Sequence, residues 1–355
     1  MLDRAVSSTT VERHSLVPFL RSVIAAAEAL PRAALHRRSA APAGIPIELW
    51  FDNEAEAELL APRLAHLEPD AERESRTRLY MLSGASIGHA SLPAWSGAEN
   101  EAAEFHAILA EARLRAAHPA HARAWHVLDL ATGIGIQLAN SPADLPAWFA
   151  GAPLRQHLHW LLRVRGWRIA HAATLGLHGR GILLLGNGGA GKSGTTLAGL
   201  AAGLQTVGDD YIALGGTDPA IARPLFRVAK QDRAGLARIP GLAERLAHLP
   251  ANWMNKVEFD PAIAFPGCFT DALRLDAIVM PRLAHAAVPR FMPATAGEAM
   301  RTLIPTNLHQ FPGEPIDGLD YYGAVVRPLP AYWLELSDNA ADNGAALAEF
   351  VASLG

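Results

Sequence analysis

The sequence is poor in cysteine and in charge, and it contains no long apolar run. Cys268 is the only cysteine among 355 residues, so no internal disulfide can form, and no zinc-type spacing of Cys and His surrounds it. We therefore expect a reducing, cytoplasmic location. The formal net charge of −4 gives no broad attraction to nucleic acid or to anionic membranes, so neither is expected as a partner.

The most apolar N-terminal stretch, residues 16–30, is interrupted by Arg21 and Glu28. It has neither the layout of a signal peptide nor the length of a membrane span, and it predicts an amphipathic helix. A polar, Pro/Ala-rich segment at residues 37–46 predicts a linker after this helix.

The length of the chain suits about two domains. We expect an N-terminal helix and linker at residues 1–45, a smaller α+β domain at 46–150, and an α/β domain at 151–355 that carries the motifs described next. Alternating apolar residues favour strands and hairpins in both domains. The predicted strands are residues 45–51 and 77–82, and the predicted hairpins are residues 124–139 and 167–186.

Residues 186–193 read GNGGAGKS, a full match to the pattern G-x-x-x-x-G-K-[ST]. A short apolar strand precedes this motif and a helix-period run follows it. Glycines let consecutive backbone N–H groups point at phosphate oxygens, Lys192 can reach the β- and γ-phosphates, and the Ser193 hydroxyl can bind Mg²⁺. The motif predicts a nucleotide as the ligand, the alternative being a glycine-rich turn that matches by chance. The expected cradle consists of Gly186, Asn187, Gly188, Gly189, Ala190, Gly191, Lys192, Ser193 and Gly194.

Two adjacent carboxylates, Asp209 and Asp210, lie in the strand-like run at residues 204–214. A strand-helix-strand crossover would return this run beside residues 182–185, with the aspartates near the phosphates. Neighbouring side chains on an extended chain point to opposite sides, so one carboxylate can face Mg²⁺ and the other an incoming nucleophile. The alternative is an Asp-Asp turn at the end of a strand. His171, on the hairpin strand before the loop, is by itself more typical of a core or edge position.

Together these elements resemble the catalytic domain of the HPr kinase/phosphorylase family. That family has a histidine-bearing hairpin strand, a phosphate loop of the form GKSxTxL and a paired aspartate on the following strand. Here these are His171, GNGGAGKSGTTL at residues 186–197 and GDDY at residues 208–211, and the resemblance covers residues 167–214. It implies an α/β P-loop kinase core of HPr kinase type with a mixed sheet, at residues 151–355, beside the smaller N-terminal α+β domain.

The resemblance also implies roles for single residues. Asp209 would be the general base that accepts the proton of an acceptor hydroxyl, and His171 would tune or orient it. Asp210 and Ser193 would hold Mg²⁺. With Lys192 at the phosphates, the implied reaction is transfer of the γ-phosphate of ATP to a serine or threonine hydroxyl.

One family feature is absent. The glycine-rich segment of the form RGLGI, which marks true HPr kinase/phosphorylases, does not occur, so HPr as acceptor and the reverse reaction are not expected. The chain looks more like HPr-kinase-like enzymes of modified-peptide pathways, including lasso-peptide tailoring kinases, which phosphorylate a serine of a precursor peptide. The features in common are GDDY, LFRVAKQD at residues 225–232, AIVMPRL at 277–283 and PTNLHQFPG at 305–313.

Positive charge is also needed near the transferred phosphoryl group. Of the candidates Arg227, Lys230, Lys256 and Arg282, we rank Lys230 and Arg282 first, although each is equally compatible with a solvated surface cation. Three functions remain open at this point: a kinase for a serine or threonine in a peptide or protein, a small-molecule kinase acting on free serine or a sugar, and a nucleotide-dependent regulatory ATPase. A homo-oligomer is a further expectation, because members of this family often form one.

Overall fold

The computed structural model describes residues 15–66, 77–88, 103–118, 123–141, 144–308, 311 and 317–354. The chain divides into two units. The N-terminal unit comprises Met1–Ala41, Ile45–Pro62 and Glu68–Trp160, and the C-terminal unit comprises Pro42–Gly44, Arg63–Leu67 and Leu161–Gly355. Within the described ranges, no helix is both long enough and apolar enough to cross a membrane.

The N-terminal unit is built on a six-stranded mixed sheet in the order β1-β2-β3-β6-β5-β4. Strands β2, β3 and β6 are parallel, and the remaining pairs are antiparallel. The predicted strands and the predicted hairpin of this unit are confirmed. The elements are α1 (Leu16–Glu28), β1 (His36–Ala40), β2 (Ile47–Phe51), α2 (Glu54–Leu60), β3 (Thr77–Ser83), α3 (Ala103–Glu111), β4 (Leu114–Ala117), β5 (Ala124–Asp129), β6 (Ile134–Ala139) and α4 (Arg155–Arg163), which continues past the division of the units.

The linker predicted at residues 37–46 is wrong in its first part. His36–Ala40 form β1, which pairs antiparallel with β2 so that Arg37 lies opposite Trp50. The guanidinium of Arg37 hydrogen-bonds Glu48 and lies 5.9 Å from the centre of the Trp50 ring. Because β1 is at the end of the strand order and one of its faces is exposed, it tolerates the polar composition that is typical of a linker.

The C-terminal unit contains an eight-stranded mixed sheet, which confirms the predicted mixed sheet. Its main path is β15-β16-β14-β11-β10-β7, and β9 joins it by pairing parallel with β14 while β8 pairs with β9. A separate two-stranded ribbon is formed by β12 and β13. The elements are β7 (Arg168–His171), β8 (Ala173–Leu177), β9 (Arg180–Leu184), α5 (Lys192–Ala201), β10 (Tyr211–Gly215), β11 (Ile221–Pro224), β12 (Ala229–Asp232), α6 (Arg233–Ala237), α7 (Leu242–Arg245), β13 (Lys256–Phe259), α8 (Pro261–Ala264), β14 (Leu273–Ala286), β15 (Arg290–Ala294), α9 (Ala296–Leu303), α10 (Asp317–Val326), β16 (Ala331–Ser337) and α11 (Ala340–Ser353).

The predicted neighbour of β9 is wrong. β9 lies between β8 and β14, whereas β10 pairs antiparallel with β7 and β11. The chain leaves α5 through Gly203, whose φ of 89° turns it back at once, and residues 205–208 then follow β8 instead. Gly176 and Gln205 exchange two backbone hydrogen bonds of 2.8 Å, and the Thr174 hydroxyl lies 3.1 Å from the Thr206 hydroxyl. This pairing carries the aspartates past β8 to the start of β10.

Helices cover both faces of the sheet in the C-terminal unit, and glycines at two positions let helices pack closely. Side chains of α5 and α11 share one apolar cluster with β8 and β9, and side chains of α9 and α10 share another with β10 and β14. A Cβ at Gly199 would lie 2.4 Å from Cδ1 of Leu175, and one at Gly344 would lie 2.4 Å from the carbonyl oxygen of Ala198. Glycine at these positions therefore lets β8, α5 and α11 pack in direct contact.

His126 and His157 form a buried pair in the N-terminal unit. His126 lies on β5 and His157 on α4, with their ring centres 5.4 Å apart. Nε2 of His157 lies 3.1 Å from the carbonyl oxygen of Val127 and 3.0 Å from that of Ile136. Burial lowers the pKa of His157 to about 4, although both carbonyl contacts oppose the shift. Burial and the neighbouring His157 lower the pKa of His126 well below its usual value.

The buried histidines predict acid-sensitive stability. Because His157 is protonated near pH 6.5 in the unfolded chain but only near pH 4 in the folded one, its contribution to stability is complete above pH 6.5 and is lost as pH falls towards 4. From pH 7 to pH 5 we expect a loss of about 2 kcal/mol from this residue alone. Urea titrations followed by circular dichroism measure it.

The variant His157→Gln should flatten this pH dependence, since its amide does not titrate. His248→Gln, at an exposed position, should leave the pH dependence as it is in the wild type. Equal slopes in the wild type and in His157→Gln would contradict the assignment.

Candidate functional site

The glycine-rich loop joins β9 to α5 and has an open concave backbone. Gly189 and Gly191 have φ values of 84° and 96°, in the left-handed region that glycine adopts without strain. A Cβ at Gly188 or Gly189 would meet no described atom within 4 Å. Gly191 is the N-cap of α5, so the first N–H groups of that helix, which have no intrahelical acceptor, open onto the loop. Such an arrangement suits an anion.

Lys192 connects the loop to the aspartate pair. Its side chain is buried, and Nζ donates a 2.9 Å hydrogen bond to the backbone carbonyl oxygen of Asp209. The residues predicted from two separate motifs therefore meet in one place. An ammonium group held at a buried position beside an open anion cradle is well placed to contact a phosphate.

The carboxylate of Asp209 is buried and has no hydrogen-bond partner in the part of the chain that the structure describes. The residue is only 3% exposed, and neither carboxylate oxygen has a hydrogen-bond partner among the described residues. Among the described residues, the buried hydroxyl of Thr195 on α5 also lacks a hydrogen-bond partner. Leaving a buried carboxylate unpaired is costly, so this position is suited to a ligand that brings a donor or a positive charge.

Asp210 is fully engaged. One carboxylate oxygen lies 3.0 Å from Nε2 of His171, and the other lies 3.1 Å from Nζ of Lys230. Burial alone would raise the pKa of Asp210, but the hydrogen bond from His171 and the charges of Lys230 and Lys192 hold it well below its usual value. Asp210 is therefore ionised at neutral pH. The structure brings His171 to Asp210, and the role of His171 in orienting Asp209 stays a prediction.

The two strands around Asp210 explain how its partners reach it. Pairing of β7 with β10 sets His171 opposite Tyr211, the residue after Asp210. Lys230 comes from β12, where it lies opposite Glu258 of β13. Glu258 is held in turn by Arg63 at 2.6 Å and by the Asn252 amide at 2.9 Å. These last three residues form no recognisable motif, and Arg63 is far from the other two in the chain, so no sequence pattern indicates them.

Of the ranked cations, the structure brings Lys230 to the aspartate pair but not Arg282. The guanidinium of Arg282 donates a 2.7 Å hydrogen bond to Glu335 and lies 5.6 Å from the centre of the Trp333 ring. Arg227, ranked lower, pairs with Asp260 at 2.9 Å.

Gly194, the last residue of the expected cradle, packs against β12. A Cβ at this position would lie 3.4 Å from Nε2 of Gln231. The strand that carries Lys230 is therefore fixed against the first turn of α5.

Asn307 was not among the predicted site residues, although it lies in the motif at residues 305–313. Its Oδ1 accepts a 2.7 Å hydrogen bond from the backbone N–H of His171. Residues 309, 310, 312 and 313 of this motif lie outside the described residues.

The predicted magnesium ligands are compatible with the way that this ion is usually bound. In the described ranges, no group of three or more His, Cys, Asp or Glu side chains forms a metal site. Mg²⁺ commonly takes one or two protein oxygens and completes its shell with phosphate and water. In the prediction Ser193 and Asp210 supply those oxygens, and the adjacent Asp209 offers a carboxylate that has no partner among the described residues.

Comparison with known proteins gives a structural likeness only. The structure is similar to that of the Hpr(Ser) kinase/phosphatase from Coxiella burnetii, with 15% sequence identity and a TM-score of 0.29, over 52% of this chain and 94% of that chain. A scan against protein-family models and a search of curated proteins both find no match.

Two glycines with left-handed backbone, Gly191 in the loop and Gly203 after α5, should differ in how much stability is lost when each is replaced by alanine. Gly191→Ala forces φ near 96° on alanine and sets its Cβ 2.9 Å from Cδ1 of Leu336. Gly203→Ala imposes the same strain, about 1 kcal/mol, with no described atom within 4 Å. Thermal unfolding should show a larger loss of stability for Gly191→Ala, and an equal loss in both variants would contradict the close packing of Gly191 on β16.

Proposed function

We propose that the protein is an ATP- and Mg²⁺-dependent kinase that transfers the γ-phosphate to a hydroxyl group. The observation that carries this proposal is the contact between Lys192 of the loop and the backbone of Asp209. It joins an anion cradle, a buried ammonium and two carboxylates in one site. Phosphoryl transfer depends mostly on such positioning and on neutralisation of charge.

The two carboxylates differ in a way that supports different roles. Asp210 has both oxygens engaged and a strongly lowered pKa, so it is a weak base. Asp209 is buried with both oxygens unpartnered, so it is free to accept a proton from a donor placed beside it. In this proposal Asp209 is the general base, while Asp210 and Ser193 bind Mg²⁺.

The chemical step balances as a simple displacement. The acceptor hydroxyl gives its proton to a carboxylate oxygen of Asp209, and its oxygen forms a bond to the γ-phosphorus as the bond to the β-γ bridging oxygen breaks. ADP leaves with that electron pair. Bound Mg²⁺ would neutralise phosphate charge, while Lys192 and the loop N–H groups hold the phosphates. Lys230 and His171 keep the Asp210 carboxylate in place.

For the acceptor we propose a serine hydroxyl, or a threonine hydroxyl, of a peptide or protein. This choice follows the resemblance of the motifs to HPr-kinase-like enzymes that modify precursor peptides, including those of lasso-peptide pathways. The N-terminal unit carries no phosphate motif of its own, so we assign recognition of the acceptor to it.

The base assignment is tested with Asp209→Asn. An amide cannot accept the proton, so transfer from labelled ATP to serine-containing peptides should fall by roughly a hundredfold or more, while binding of a fluorescent ATP analogue stays within a few-fold of the wild type. Asp271→Asn, at an exposed position, is the control.

Normal turnover in Asp209→Asn would refute the assignment. Rapid ATP hydrolysis without an acceptor would identify an ATPase, and transfer to free serine or to a sugar would identify a small-molecule kinase.

The two ranked cations are separated by Lys230→Met and Arg282→Met. Lys230 holds Asp210, so its loss should lower kcat by about tenfold or more. Arg282 is held by Glu335, so its loss should change kcat by less than about twofold. Steady-state kinetics with saturating ATP measure both. A larger loss in Arg282→Met would make Arg282 the cation at the transferred phosphate.

A further inference from the structure

Asn307 is buried, and its side-chain amide makes three hydrogen bonds, one of them from Nδ2 to the Thr306 hydroxyl at 3.2 Å. It is 3% exposed and follows the helical turn Ile304–Thr306. Its Oδ1 accepts from the backbone N–H of His171, and its Nδ2 donates to the carbonyl oxygen of Leu303, both at 2.7 Å. An N–H can only donate and a carbonyl oxygen can only accept, so the orientation of the amide is fixed by its partners.

The strand that Asn307 contacts lies at the end of the strand order. β7 pairs with β10 on one side, and this ladder stops at His171, after which the chain changes partner to form β8. On the other side, two side chains satisfy the backbone groups. Asn307 binds the N–H of His171, and the Tyr322 hydroxyl donates a 2.7 Å hydrogen bond to the carbonyl oxygen of Ile169.

The last residue of β7 is the one whose side chain reaches the site. Its imidazole lies 3.0 Å from Asp210, and its ring centre is 5.2 Å from that of Tyr211. With the ladder ending at this residue, the Asn307 amide replaces the backbone partner that a further strand would supply. A small displacement of the His171 backbone would therefore move the imidazole relative to the Asp210 carboxylate.

We infer that Asn307 is a positioning residue for phosphoryl transfer: it fixes the backbone of His171 and, through the imidazole, the carboxylate of Asp210. This inference rests on the proposed function. It predicts that kcat is retained in variants of residue 307 that keep an oxygen to accept the hydrogen bond of the His171 N–H, and that kcat does not simply track the free energy of unfolding.

Three variants separate positioning from stability. Asn307→Ala removes all of these side-chain hydrogen bonds, and kcat should fall by roughly tenfold to a hundredfold while the Kd for ATP stays within about twofold. Asn307→Asp keeps an acceptor for His171 and loses the amide donor to Leu303 and Thr306, so its kcat should be clearly higher than that of Asn307→Ala. Tyr322→Phe removes the matched contact two residues earlier on β7, and its kcat should stay within about twofold of the wild type.

A double-mutant cycle with His171→Ala gives the decisive reading. Adding Asn307→Ala to His171→Ala should lower kcat no further, although thermal unfolding should show the same loss of stability in both backgrounds. Hydrogen exchange at the amide of His171 gives a readout that needs no activity, since Asn307→Ala should remove its protection and Tyr322→Phe should not.

The inference is overturned if Asn307→Ala lowers kcat no more than Tyr322→Phe, or lowers it equally with and without His171. It is also overturned if the His171 amide loses protection in Asn307→Ala and kcat is unchanged. If the wild-type protein transfers no phosphate from ATP, the proposed function fails and the inference fails with it, whatever hydrogen exchange shows at His171.

Discussion

The carboxylate of Asp210 is the point on which the site depends. Two cationic or hydrogen-bonding side chains converge on it from strands that are separate in sequence, His171 from β7 and Lys230 from β12. Each contact fixes one carboxylate oxygen, and together they keep the group ionised although burial opposes this. Because Asp209 precedes Asp210 directly, fixing the one also limits where the other can lie.

Much of this site could be predicted because its signals are local. The loop from Gly186 to Ser193 needs only glycines, a lysine and a hydroxyl at fixed spacing between a strand and a helix, and the structure has that strand and helix. What could not be predicted depends on pairing between distant segments. The position of β14 beside β9 and the contact of Asn307 with His171 arise from topology, which hydrophobic period does not encode. The position of Arg282 after a strand-like run favours it as a phosphate contact, but in the structure its guanidinium donates a hydrogen bond to Glu335 on the neighbouring strand.

The N-terminal unit illustrates a different limit. Its strands follow from alternating apolar residues, yet β1 has the composition of a linker, because an edge strand with an exposed face does not need apolar residues. His126 and His157 are kept uncharged by burial, so a pattern that counts histidine as a charged or surface residue misjudges such positions. For these segments, position in the fold therefore predicts secondary structure and burial better than local composition does.

The contact between Lys192 and the carbonyl oxygen of Asp209 also affects the thermodynamics of ligand entry. A free lysine side chain loses up to about 2 kcal/mol of rotamer entropy when it is immobilised. Here the ammonium is already held and largely removed from water, so that loss accompanies folding and not binding. When an anion binds, it replaces the Asp209 carbonyl oxygen as an acceptor of the Lys192 ammonium. The ammonium contributes to affinity because it interacts more strongly with a full negative charge than with a carbonyl dipole.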